Sequence, residues 1–222
     1  LTAVEGISPE SLEKSEKILR RLVVQLDGER ISDLRFLPDF QAAVALHLKQ
    51  FPRHSDSFKL MEGWLASEPD GVRKETQIKE WLGTFSLAPE QVIRLREIRI
   101  GSAQRGRRLE IVAEEAGALA TLVTAEPRKR EFHYAQARAQ YELKSMDAAL
   151  AGFQALAAGA GEPDRWAILS QNLALDILAA RKDYPNFLKQ AESWLENEKL
   201  QKSPLLAREL AEMKQVKEHV IF

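Results

Sequence analysis

The sequence predicts an all-α protein, built as an α-solenoid of about five helical hairpins and a terminal helix. Three observations carry this. Apolar residues recur at the 3.6-residue period along the chain, between turns marked by Pro and Gly, and no stretch alternates with period two, so no strand is expected. The run Trp166–Leu195 repeats the layout of Tyr134–Leu156 after roughly 38 residues, with Met146 and Tyr184 in equivalent places; that period falls where helix-turn-helix arrays are found. The segment around 163–181 carries apolar residues on two sides, Trp166, Leu169, Leu173 and Ile177 on one and Ile168, Leu175 and Leu178 on the other. A helix apolar on two flanks packs between neighbours, as the helices of stacked hairpins must.

In chain order, Ser8-Pro9-Glu10 reads as a helix start, with Leu12, Leu19, Leu22 and Leu26 along one face and Asp27-Gly28 as its stop. A less regular connection follows. Pro38-Asp39 opens a helix carrying Phe40, Val44 and Leu48 that ends at Phe51-Pro52, and Ser55–Ala66 follows with Phe58 and Met61 on one side. After the turn Glu68-Pro69-Asp70-Gly71, Ile78, Trp81, Leu82 and Phe85 keep the helical period. Ala88-Pro89-Glu90 begins a helix through Ile98; Gly101 and Gly106 are expected to loosen the chain before the stripe Leu109, Val112, Ala116, Leu119 and Val123. Further helices are expected at about 128–144, 146–158, 163–181, 184–197 and 203–220. The chain divides into hairpins at 1–127 and clearer repeats at 128–222, read as one continuous solenoid.

Composition bounds the function. The 222 residues are 45% hydrophobic and 29% charged, enough for a folded core. Thirty-two Lys and Arg against 33 Asp and Glu leave a net charge of -1, so no overall field favours nucleic acid or an acidic membrane, and a polyanion site must be local. Cysteine is absent, which excludes disulfides, thiolate catalysis and Cys-based zinc sites and fits either a reducing or an oxidising compartment. No apolar run reaches the length of a membrane-spanning helix, and no basic-then-apolar signal region opens the chain. A start at Leu1 and an ending on Val220-Ile221-Phe222 lead us to expect a piece of something larger.

The segment Ala137 to Phe153 resembles the core of the tetratricopeptide (TPR) repeat: a small residue where paired helices cross, an aromatic near the end of the first helix, a tight turn, then Ala149 and Phe153 four apart. Trp166–Leu195 resembles it more loosely, and Lys144 stands where the family commonly places Gly. The resemblance implies a right-handed superhelix that binds a protein or peptide along a groove lined by first helices. Carried across, the groove positions are Glu131, Tyr134, Arg138, Tyr141 and Glu142 in one hairpin and Asn172 and Asp176 in the next. Tyr, Arg and Asn combine apolar area, charge and hydrogen bonding, as contact sites do; Tyr134 and Tyr141 equally fit the seam of their own hairpin. The likeness to divergent bacterial repeat proteins of envelope and secretion machinery implies a bacterial scaffold, with the periplasm favoured over the cytoplasm.

Catalytic patterns are missing. His47, His54, His133 and His219 make no metal-ligand spacing, and no carboxylate pair is singled out for acid-base work. The glycine spacing of Gly101–Arg108 lacks the Lys and Ser or Thr of a phosphate loop and follows a helical segment. A non-enzymatic scaffold without cofactor or metal is therefore expected. The alternative is a helical repeat that binds RNA or an acidic polysaccharide through Arg94, Arg96, Arg99, Arg105, Arg107 and Arg108, since guanidinium forks onto phosphate and carboxylate. Glu97 and Glu110 offset that charge, and a solvated or internally paired face accounts for the same cluster.

Overall fold

Why these residues become helices is visible at their ends. The computed structural model describes residues 37–158, 163–202 and 206–220; the helix expected to start at Ser8, and the turns at 159–162 and 203–205, lie outside the described residues. The described helices are α1 (Leu37–Gln50), α2 (Ser57–Ser67), α3 (Gly71–Thr84), α4 (Pro89–Arg105), α5 (Leu109–Leu122), α6 (Glu126–Glu142), α7 (Met146–Ala157), α8 (Arg165–Ala180), α9 (Tyr184–Leu195), the one-turn α10 (Glu198–Gln201) and α11 (Ala207–Val220). No strand occurs among the described residues. Asp70 caps α3 by accepting from the Val72 and Arg73 amides, Asp164 caps α8 through Ala167, and Asp183 caps α9 through Asn186. Two expectations are corrected. Gly101 does not loosen the chain, because α4 runs through it to Arg105, and the span from 184 ends at Leu195, with α10 following separately.

The chain forms two compact units, divided between Ser102 and Ala103. In the first, Val44 and Leu48 of α1, Leu60 and Met61 of α2, Ile78 and Trp81 of α3 and Leu95 of α4 share one core. The indoles of Trp64 and Trp81 meet edge to face at 5.6 Å. Asp70 also ties the α2–α3 turn to Glu68, whose carboxylate accepts from the Asp70 amide at 2.9 Å and pairs with Arg73 at 3.2 Å.

The second unit is a run of helices packed in sequence: α5 on α6, α6 on α7, α7 on α8, α8 on α9 and α9 on α11, with α6 also touching α8. Its repeat is written in the turns. After α4, α6 and α8 the chain makes the same two hydrogen bonds: Arg107 and Arg108 amides donate to Gln104 and Ala103, Lys144 and Ser145 to Tyr141 and Gln140, Lys182 and Asp183 to Ala179 and Leu178. This is the Schellman closure of a helix end. Each has a left-handed residue, Arg107 (φ 54°), Lys144 (φ 64°) and Lys182 (φ 58°), spaced by about 37 and 38 residues. Positions five, nine and twelve beyond it are buried every time: Val112, Ala116 and Leu119; Ala149, Phe153 and Leu156; Phe187, Ala191 and Trp194. The repeat thus begins one turn earlier than sequence periodicity alone placed it. A left-handed side chain costs about 1–2 kcal/mol that glycine avoids, and a cation there offsets part of this against the carbonyl end of the helix.

Helix crossings in this unit are close because small residues meet. Ala137 of α6 and Ala149 of α7 are buried, and a Cβ added to Gly152 would stand 2.9 Å from the Ala137 Cβ. The stack is bracketed by Arg130 of α6, whose guanidinium binds both oxygens of Asp164 (2.6 and 3.0 Å) and donates to the Leu156 carbonyl at 3.0 Å. One side chain joins α6, the end of α7 and the start of α8. That interaction holds the Asp164 carboxyl below the usual range.

Candidate functional site

A recess of about 370 Å³ opens along α6, floored by Tyr134, Ala135 and Ala139 and rimmed by Glu131, Arg138 and Glu142. Its far walls are Gln104 and Arg107 at the end of α4 and the turn, Leu109 and Val112 on α5, and Trp166 on α8. The helical period explains the floor and rim: 131, 134, 135, 138 and 142 fall on one face of α6. Arg107, the left-handed residue of the turn after α4, lines the recess with these side chains.

Of the two placements open to Tyr134, the structure shows the buried one, at the seam and beneath the recess. Its ring packs 5.1 Å from Trp166 and 6.0 Å from Phe153, which fixes the recess to the core beneath. Tyr134 also interacts with Arg138 and, ahead of Glu142, holds that guanidinium more firmly protonated than usual. Arg138 Nε donates to Glu142 Oε1 at 3.3 Å. Arg165 lies over the Trp166 ring at 5.2 Å, outside the recess lining. The site therefore offers an aromatic floor and wall, two arginines and two carboxylates. That mixture suits a ligand with both apolar and charged groups rather than a purely anionic one.

The remaining expected positions divide. Tyr141 is half-buried and turns edge-on to Phe153 at 6.4 Å, on the hairpin seam. Asn172 and Asp176 on α8 are exposed and lie outside the recess lining. Asp176, though exposed by area, has water displaced from one side by its neighbours, which pushes its carboxyl above the ordinary range. Arg99 is buried at 4% exposure, Arg94 is bonded to Glu62 at 3.1 Å, and Arg105, Arg107 and Arg108 belong to the second unit. Arg130, from the basic run after Pro127, is the inter-helix bracket described above.

Gln104 and Trp166 were not expected as site residues, and Arg107 was expected only as part of the arginine cluster, not in this recess. Arg107 had a usable signal: Arg107, Lys144 and Lys182 are each basic and each begin the same buried pattern. No group of residues able to hold a metal ion occurs among the described residues, and no described helix is long and apolar enough to cross a membrane. Compared with protein-family models, curated proteins and solved structures, the chain has no match.

Proposed function

We propose that the chain is a non-enzymatic interaction scaffold whose second unit is a TPR-like stack holding a peptide segment of a partner protein in the recess along α6. The observation that carries this reading is the composition of that recess: Trp166 and the Tyr134 floor provide apolar contact, while Arg107, Arg138, Glu131 and Glu142 provide charge of both signs. Hot spots of peptide and protein recognition concentrate in such Trp, Tyr and Arg side chains. A bacterial envelope setting remains part of the proposal, from the family resemblance alone. The polyanion reading through six arginines is the less favoured one, because Arg99 is buried and Arg94 is bonded to Glu62.

The test is selection of a displayed random-peptide library on the whole chain, followed by anisotropy titration of the selected peptides. Arg138→Ala should weaken them by roughly thirtyfold, the equivalent of about 2 kcal/mol, with helicity and melting temperature retained. Peptides that bind the Arg138→Ala and Trp166→Ala variants as tightly as the parent would refute the groove.

A further inference from the structure

The three left-handed turns share one edge of the second unit. The ion pair of Arg181 Nη1 with Asp147 Oδ1, 2.7 Å, ties the turn after α8 to the start of α7, beside the turn at Lys144. Arg107 lines the same recess as Arg138 and Glu142 at the end of α6, which sets the first turn next to the second. Arg107, Lys144 and Lys182 are all exposed. Of the acids on this edge, Glu142 pairs with Arg138 and Asp147 with Arg181, while Asp183, which accepts from the Asn186 amide, and Glu110 stand against the exposed Arg105, Arg107, Lys144 and Lys182. The outward charge of the edge is therefore positive, in a chain whose net charge is -1. Glycine would fit each turn without strain, yet each carries a cation. Tyr184, 43% exposed, adds an aromatic surface beside Lys182.

We propose that this edge binds an extended acidic peptide segment, one carboxylate per turn, continuing from the α6 recess at Arg107 across Lys144 to Lys182. The inference rests on the recess being a peptide site. α6 and α8, whose ends carry Lys144 and Lys182, pack on each other, and packed helices stand about 8–10 Å apart, so these two turns present cations at about that interval. An extended peptide advances about 3.3 Å per residue, which matches acidic residues at every third position. Duplex DNA carries one phosphate per about 3.4 Å of helix axis on each strand, a denser charge than these turns and their neighbouring carboxylates accommodate.

The experiment titrates the whole chain with a short fluorescent peptide bearing Glu at every third residue. Its comparators are a peptide of the same composition with the Glu residues contiguous, and a single-stranded oligonucleotide of equal length. The spaced peptide should bind tightest, and Lys144→Gly with Lys182→Gly should weaken it about five- to tenfold, from exposed pairs of modest strength. Those glycines relieve the turns, so melting temperature should hold or rise. Lys144→Arg with Lys182→Arg should keep the affinity. The proposal is overturned if no peptide binds, if the double glycine variant binds like the parent, or if the contiguous peptide or the oligonucleotide binds as well as the spaced peptide. A null result here, with Arg138→Ala still weakening the library-selected peptides, removes the edge and leaves the recess.

Discussion

Replacing Gly152 with Ala sets two opposed effects against each other at one atom. Gly152 lies inside α7, where alanine would favour the helix by about 1 kcal/mol. The added Cβ, however, would stand 2.9 Å from the Cβ of Ala137, against an ordinary carbon contact of about 3.5–4.0 Å. Ala137 is buried and its Cβ is fixed to the α6 backbone, so no rotation relieves the contact and the two helices must part. Overpacking of this kind costs about 1–3 kcal/mol. The net expectation is a loss of up to about 2 kcal/mol, measured by urea unfolding of the whole chain followed by circular dichroism. Gly117 in α5 supplies the comparison, because its added Cβ would meet the end of the flexible Gln136 side chain at 2.6 Å, which can swing away. Gly117→Ala should therefore be neutral or stabilising. Combining Ala137→Gly with Gly152→Ala moves the methyl across the crossing, and the pair should show a favourable coupling of about 1–3 kcal/mol. A Gly152→Ala protein more stable than the parent, or a double variant showing no coupling, would refute the close crossing of α6 and α7.

Other perturbations separate folding from recognition. Phe153→Ala should cost about 3–5 kcal/mol, since its ring is fully buried among α6, α7 and α8, whereas Arg138→Ala should change the unfolding midpoint little. Asp164→Asn should lose about 1 kcal/mol near neutral pH: asparagine can still cap α8, but the Arg130 bracket and the helix start lose the negative charge, and partial exposure screens the ionic part. The carboxyl of Asp164 is depressed in the fold, so its contribution is complete above the unfolded pKa of about 3.9 and is lost as pH falls through the lower folded value. Acid titration of stability should accordingly be less steep for Asp164→Asn than for the parent. Lys144→Gly should raise stability by up to about 1 kcal/mol, by releasing the left-handed side chain.

Much of the fold was legible because helix signals here are local. Pro89 announces a start that the structure uses, the turn read at Glu68–Gly71 separates α2 from α3, and the two-sided apolar pattern of 163–181 anticipates α8 packed between α7 and α9. Gly101 misled because an isolated glycine is tolerated inside a helix whose neighbours pack on it, as Ile100 and Ser102 do. The site was legible on one helix only. Spacing alone puts Glu131, Arg138 and Glu142 on one face of α6, but whether Tyr134 stands on the rim or beneath it depends on Trp166 and Phe153, which arrive from two other helices. Arg107 was obscured by its neighbours: in sequence it belongs to a run of arginines, and only the turn geometry separates it from Arg99, which is buried.

Photo-crosslinking of a library-selected peptide tests the recess along α6 most directly. Benzoylphenylalanine placed at Glu131, exposed on the rim, is compared with the same group at Ala155, exposed on α7. The account predicts a peptide adduct from position 131, suppressed by excess unlabelled peptide, and none from 155. An adduct from 155 with none from 131 would contradict it.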